Sequence, residues 1–133
     1  MSKPFEMPVR IYFQDTDAGG VTYHANYVNF MERARTEWLR ELGYSHMDMM
    51  NELGVMFVVR SIKLDYLRPA LLDDLLTVTA EVREIGRSRV TLDQTIRRGD
   101  ELLTEGEVHL VCVAVDSFKP VSVPDVLREL WKE

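Results

Sequence analysis

Hydrophobic and polar positions in this chain follow two different periods, and the change comes at Gly54. Ahead of it, Tyr27, Phe30, Met31, Ala34, Trp38 and Leu42 recur every three or four residues, while Glu32, Arg33, Arg35, Thr36, Arg40 and Glu41 fall mostly elsewhere. This spacing predicts an amphipathic helix over 26–42 with one apolar stripe. Asn26 suits its N-cap and Gly43 the left-handed stop at its end. At about 1.5 Å per residue such a helix runs about 25 Å, enough to cross a small sheet. A shorter helical piece is predicted over 45–53. Before the long helix, Val9, Ile11 and Phe13 fall on one side of a short half-buried strand over 9–14. Gly19 and Gly20 interrupt that alternation and permit a tight turn or a close backbone approach.

Beyond Gly54 the period is two. Ile62, Leu64 and Tyr66 oppose Ser61, Lys63 and Asp65; Leu76, Val78, Ala80 and Val82 alternate with Thr77, Thr79, Glu81 and Arg83. Val90, Leu92, Gln94 and Ile96 alternate with Thr91, Asp93, Thr95 and Arg97. Strands with one face on a core and one in water produce this pattern. The stretch 108–115 is apolar on both faces, as an inner strand is. Arg98-Gly99-Asp100 and 84–87 read as hairpin turns, and Pro120 and Pro124 precede a predicted helix over 125–131. Short connections favour antiparallel pairing. The expected fold is therefore α+β, an antiparallel β-sheet wrapped around a long central α-helix.

Composition narrows the classes. With 133 residues, 46% of them hydrophobic and 29% charged, the chain suits a single domain, 1–133, of ordinary globular character. A formal net charge of −6 argues against a general grip on nucleic acid or an anionic membrane, while leaving local basic clusters free to hold one phosphorylated ligand. The one cysteine, Cys112, excludes an intrachain disulfide and suits a reducing compartment. Cys112 lies on an apolar strand and reads as core rather than nucleophile. The first residues lack the apolar core of a signal peptide, and no stretch approaches the roughly 20 apolar residues of a membrane span. A cytoplasmic location without membrane insertion is expected.

The candidate chemistry lies in 13–27, where two carboxylates, a glycine pair and a histidine separate strand from helix. Asp17 reads two ways, as a carboxylate ionised at neutral pH and able to attack or to deprotonate water, or as the cap of a turn before glycine. Asp15, two residues away, can face the same way, and reads as the organiser of the turn. His24 stands just before the predicted helix and suits orienting water or bonding a carbonyl. Unpaired backbone amides at 23–27 would favour a developing oxyanion. The grouping suits hydrolysis of an acyl compound. His46 and His109 have no comparable setting, and the three histidines lack metal-ligand spacing, so no metal is expected. Gly-x-Gly-x-x-Gly, Walker and Gly-x-Ser-x-Gly motifs are absent from the sequence.

The run Val9-Arg10, Asp15-Thr16-Asp17-Ala18-Gly19-Gly20-Val21 and His24-Ala25-Asn26-Tyr27 resembles the signature of the 4-hydroxybenzoyl-CoA thioesterase family. Within it the likeness is to the Tol-Pal-associated acyl-CoA thioesterases. It continues through Glu32-Arg33-Ala34-Arg35-Thr36-Glu37, Phe57-Val58-Val59-Arg60, Tyr66, Pro69-Ala70 and Leu72-Asp73-Asp74, more weakly to Cys112-Val113. The resemblance implies the hot-dog fold and hydrolysis of an acyl-CoA, short-chain aliphatic or aromatic, or of an acyl carrier protein thioester. It places the essential carboxylate at Asp17, as nucleophile or general base, and an assisting histidine at His24. The thioester carbonyl would lie at the helix start, with Tyr23, Asn26 and Tyr27 lining the substrate. Coenzyme A phosphates would be held by Arg87, Ser88 and Arg89 at a hairpin turn, with Arg60 and Arg68 as weaker options. No cofactor is implied beyond coenzyme A as part of the substrate. A homo-oligomer, dimer or tetramer, is implied, with sheets joined edge to edge and active sites at the dimer interface. One departure stands out: Phe13 occupies a position where the subgroup often has tyrosine. Two other readings accompany this one, a hydratase or dehydratase of acyl thioesters, and a non-enzymatic acyl-carrier-binding or scaffold protein of the cell envelope.

Overall fold

The computed structural model describes residues 4–132. Strand β1 (Phe5–Arg10) leads through a loop to helix α1 (His24–Glu41). A short helix α2 (His46–Asp48) continues as a π-helical turn, Met49–Leu53. Four strands follow, β2 (Val55–Tyr66), β3 (Leu75–Ile85), β4 (Arg89–Arg98) and β5 (Glu101–Ala114), and then helix α3 (Asp125–Trp131). All pairings are antiparallel, in the order β1-β3-β4-β5-β2. Register irregularities at Val59/Ser61, Val82/Glu84 and Ile96/Arg97 bend the sheet around α1. This is the α+β hot-dog arrangement. Among the described residues, no helix is long and apolar enough to cross a membrane.

Local chemistry accounts for the elements. α1 stops at Gly43, whose φ of 98° suits a residue without a Cβ. The Ser45 hydroxyl accepts the Asp48 N–H at 3.1 Å and the Asp48 carboxylate accepts the Ser45 N–H at 3.3 Å, closing a capping box on α2. Gly106 on β5 makes room for side chains of α1 and β2: a Cβ there would stand 2.6 Å from Leu64 Cδ2 and 3.2 Å from Met31 Cε.

Two expectations near the N-terminus are corrected. The strand predicted over 9–14 ends at Arg10, because the Asp15 carboxylate takes the Tyr12 N–H at 2.9 Å and folds Phe13–Asp15 into a 3-10 turn. Phe13, placed by alternation beside Val9 and Ile11, is instead 80% exposed, whereas Ile11 is fully buried. Helix α1 also begins two residues earlier than predicted, at His24.

The core has two halves. Toward the start of α1, Tyr27, Phe30, Met31 and Ala34 pack with Ile11, Leu76, Val78, Ile96 and Leu103. Toward its end, Leu39 packs with Met49, Val90, Leu92, Leu110, Leu127 and Trp131. Each fully buried large side chain contributes about 1.5–3 kcal/mol. Between the halves sits a polar bridge. Arg35, read from its charge as lying off the stripe, is buried, and its guanidinium donates to Gln94 Oε1 at 2.9 Å. The Gln94 amide in turn donates to the Met31 and Thr79 carbonyls, both at 3.0 Å. Arg35 lies eight residues after Tyr27 on α1, so the helical period puts both on one face. Its charge alone misplaced it.

Candidate active site

The loop between β1 and α1 is held against the helix start by the backbone of Asp15. Its carbonyl accepts the Tyr23 N–H at 2.8 Å and the Asn26 side-chain amide at 3.0 Å. Within the loop, Thr16 bridges Thr22, and the Asp17 N–H donates to the Val21 carbonyl at 2.9 Å. Gly20 takes φ of 80°, and a Cβ on Gly19 would stand 3.2 Å from Asp17 Oδ1. The glycine pair therefore permits both the turn and the close approach. From outside, Thr22 N–H donates to the Ala70 carbonyl, and Val21 bridges Leu71.

Asp17 is exposed, with Oδ1 accepting the Gly19 N–H at 2.8 Å. Among the described residues Oδ2 has no partner, so the turn and an available carboxylate oxygen coexist. Asp15 takes the structural part expected of it, since its carboxylate holds Tyr12 and its carbonyl the helix start.

Asn26 does not cap α1. The N-cap is Tyr23, which offers no side-chain bond, and Asn26 lies in the first turn with its amide on Asp15. The Tyr23 N–H is taken by Asp15, and the Asn26 N–H turns back to the Tyr23 carbonyl at 2.9 Å. Of the amides predicted to hold an oxyanion, those of His24 and Ala25 face out of the first turn, where the helix carries about half a positive charge.

His24 lies in an aromatic group. Its ring is 4.7 Å from that of Tyr23 and 6.5 Å, edge-on, from that of Tyr66. The Tyr66 hydroxyl donates to the His24 carbonyl at 3.0 Å, tying the end of β2 to the helix start. Burial, with Tyr27 beside it, raises the Tyr66 pKa above its ordinary value, so the hydroxyl stays protonated as a donor. Tyr27 is buried and its hydroxyl accepts the Ala70 N–H at 3.0 Å, leaving it a brace as much as a lining residue. His24, Thr22, Tyr27, Tyr66 and Arg68 line a hollow of about 260 Å³; Asp17 is not among its lining residues. The Thr22 hydroxyl there is buried without a partner among the described residues.

Tyr66 is thus a neighbour that the sequence did not single out for chemistry, and Arg68, named there only as a weaker option for coenzyme A, joins it. Their signal was slight: an aromatic at a strand's end and an arginine before proline. Arg68 also pairs with Glu101 at 3.2 Å. Behind it, Arg98 donates to Asp74 at 2.6 Å and to Glu101 at 2.7 Å, bracing the loop against which Thr22 rests.

Arg87, Ser88 and Arg89 lie elsewhere. Tyr66, Thr104 and Ile96 occupy one rung across β2, β5 and β4, and Arg89 is seven residues along β4 from Ile96. At about 3.3 Å per residue it lies about 23 Å down the sheet. One chain does not bring these arginines to Asp17 and His24. Their turn is fixed by its backbone, with Arg128 donating to the Gly86 and Arg87 carbonyls at 2.8 Å, which leaves the Arg87 side chain exposed. Cys112 is fully buried and burial pushes its thiol up to about 11, in keeping with a core role.

The sequence profile of the thioesterase superfamily matches residues 19–105. The acyl-CoA thioesterase YbgC of Haemophilus influenzae is 43% identical over 124 residues, covering 93% of this chain and 91% of that one. The acyl-CoA thioester hydrolase YbgC of Escherichia coli O6:H1 is 46% identical over 130 residues, covering 97% and 96%. The crystal structure of a probable thioesterase from Bartonella henselae superimposes with a TM-score of 0.86 at 31% identity, covering 92% of this chain and all of that one.

Proposed function

This chain belongs to the thioesterase superfamily, and from that membership we propose that it is an acyl-CoA thioesterase, releasing a free acid and coenzyme A. The observation that carries the reading is the Asp15 clamp, which sets the loop of Asp17 against the uncapped start of α1. In this reading the thioester carbonyl oxygen lies on the amides of His24 and Ala25, which stabilise charge as it develops. Asp17 attacks the carbonyl carbon or takes a proton from the attacking water, and His24 orients that water or the carbonyl. Tyr23 lines the approach, Asn26 and Tyr27 hold it in shape, and Tyr66 anchors His24.

The separation of about 23 Å along the sheet makes a second chain part of the same reading: Arg87, Ser88 and Arg89 of one copy meet the nucleotide of a substrate bound at another. The free edges support this. β1 is short and carries Pro8, whereas β2 is a 12-residue edge strand with Val59 46% and Ile62 37% exposed. A long edge strand without proline, with apolar side chains exposed on it, suits pairing with a second copy. Exposed Tyr12, Phe13 and Tyr23 add an apolar patch beside the helix start. Dimer or tetramer, cytoplasmic residence and acyl carrier protein as an alternative donor belong to the same proposal.

The test is release of free thiol from a panel of aliphatic and aromatic CoA and carrier-protein thioesters. Hydrolysis of any class establishes the activity. Double-bond hydration without thiol release would move the assignment to a hydratase, and binding without turnover to a scaffold.

A further inference from the structure

The polar bridge through the core ends in a cavity that the chemistry at the helix start does not use. It lies between α1, α2 and the sheet, holds about 150 Å³, and is lined by Leu39, Phe57, Leu110 and Trp131 together with Arg35. Arg35 is 8% exposed. A guanidinium carries five N–H donors, and among the described residues the partner of this one is Gln94. It forms no ion pair among the described residues. Glu32, which also lines the cavity, acts on it through space, and its carboxylate accepts the Thr36 hydroxyl at 2.5 Å. Thr36 Oγ1 then lies 3.1 Å from His46 Nε2, at the rim of the same cavity. Among the described residues, the Trp131 indole N–H is also buried without an acceptor. Arg35 thus presents a buried cation to a largely apolar hollow whose lining also holds Glu32, and a guanidinium with donors beyond the one on Gln94 can take a further carboxylate.

We propose that this cavity binds a small apolar carboxylate, its oxygens on the Arg35 guanidinium and its hydrocarbon among Leu39, Phe57, Leu110 and Trp131. About 150 Å³ of apolar space is enough for a benzene ring, so the ligand is of benzoate size. A planar guanidinium meets a carboxylate through two parallel bonds. The site is distinct from the helix start, because Arg35 lies 11 residues beyond His24, about 16 Å along α1. The acid released from a short-chain or aryl thioester falls in this class; only that link rests on the hydrolase reading.

Both tryptophans of the chain, Trp38 and Trp131, line the cavity, so their emission reports its occupancy. Benzoate should change that emission saturably, and neutral benzamide of the same shape should bind at least about tenfold more weakly. Arg35→Met should weaken benzoate at least about tenfold while leaving benzamide little changed. Val59→Phe, which fills the cavity from its half-exposed rim, should weaken both. Asp17→Asn should leave benzoate binding as it was. Equal affinity for the two ligands, absence of a saturable change, undiminished benzoate affinity in either cavity variant, or tighter binding in Asp17→Asn would each overturn the proposal. If Arg35→Met does not fold, the benzamide comparison and Val59→Phe decide. No turnover enters the readout, so failure of the hydrolase reading and failure of this site are told apart.

Discussion

The Asn26 side-chain amide donates to the Asp15 carbonyl at 3.0 Å, and this bond, with that from the Tyr23 N–H, holds the Asp17 loop on the first turn of α1. Asn26→Ala removes the bond without touching Asp17 or the free amides. We expect kcat for thioester hydrolysis to fall on the order of tenfold, since small losses of alignment are costly in catalysis. KM should change less, and the melting temperature only slightly. Unchanged kcat would separate the clamp from catalysis.

Asp17→Asn keeps an oxygen for the Gly19 N–H and so keeps the turn. It removes the charge needed to attack or to accept a proton. Turnover should drop about a hundredfold or more with circular dichroism unchanged. Hydrolysis near the wild-type rate would remove Asp17 from the mechanism.

Arg87→Ala combined with Arg89→Ala should raise KM for CoA esters several-fold and leave short pantetheine esters nearly unaffected, because only the former carry nucleotide phosphates. Equal effects on both substrates would place phosphate recognition elsewhere, with Arg68 beside His24 the next candidate.

Ile62→Asp puts a charge on the exposed β2 edge, where a symmetric contact would bring two such charges together. Light scattering should show a smaller species than wild type, and CoA-ester hydrolysis should fall with it. A stable wild-type monomer with full activity would refute assembly across this edge.

Acid sensitivity should trace to Asp74. Burial by itself raises its pKa, but the Leu71 N–H and Arg98 outweigh burial and hold the carboxyl below its ordinary value. Arg98 also holds Glu101 low. A depressed folded pKa gives stability that is present above the unfolded pKa and lost as pH falls through the folded one. Asp74→Asn should therefore cost about 1–2 kcal/mol at neutral pH. Its loss of stability on acidification below about pH 5 should be shallower than that of wild type. Denaturant midpoints measured across that range check the slope; parallel curves would exclude Asp74 as the source.

Local pattern was enough for much of this molecule. The α1 stripe, the stop at Gly43, the 98–100 turn, the inner position of β5 and the bounds of α3 all rest on neighbours within a few residues. The candidate residues at 15–26 were marked by a glycine pair beside a predicted helix start and by the family resemblance, whereas the cap expected at Asn26 is not there. Where local pattern misled, a distant or competing partner intervened. The Asp15 carboxylate ended β1 early and left Phe13 in solvent. Gln94, 59 residues away, drew Arg35 into the core.

Periodicity by itself determined which faces turn inward, since 3.6- and 2-residue repeats are properties of the chain alone. What stands opposite each face was decided only by the tertiary structure. The register of β2 on β5 brought Tyr66 to His24, and the length of β4 carried Arg89 away from them. Strand pairing joins residues far apart in sequence, and no repeat along the chain encodes that distance.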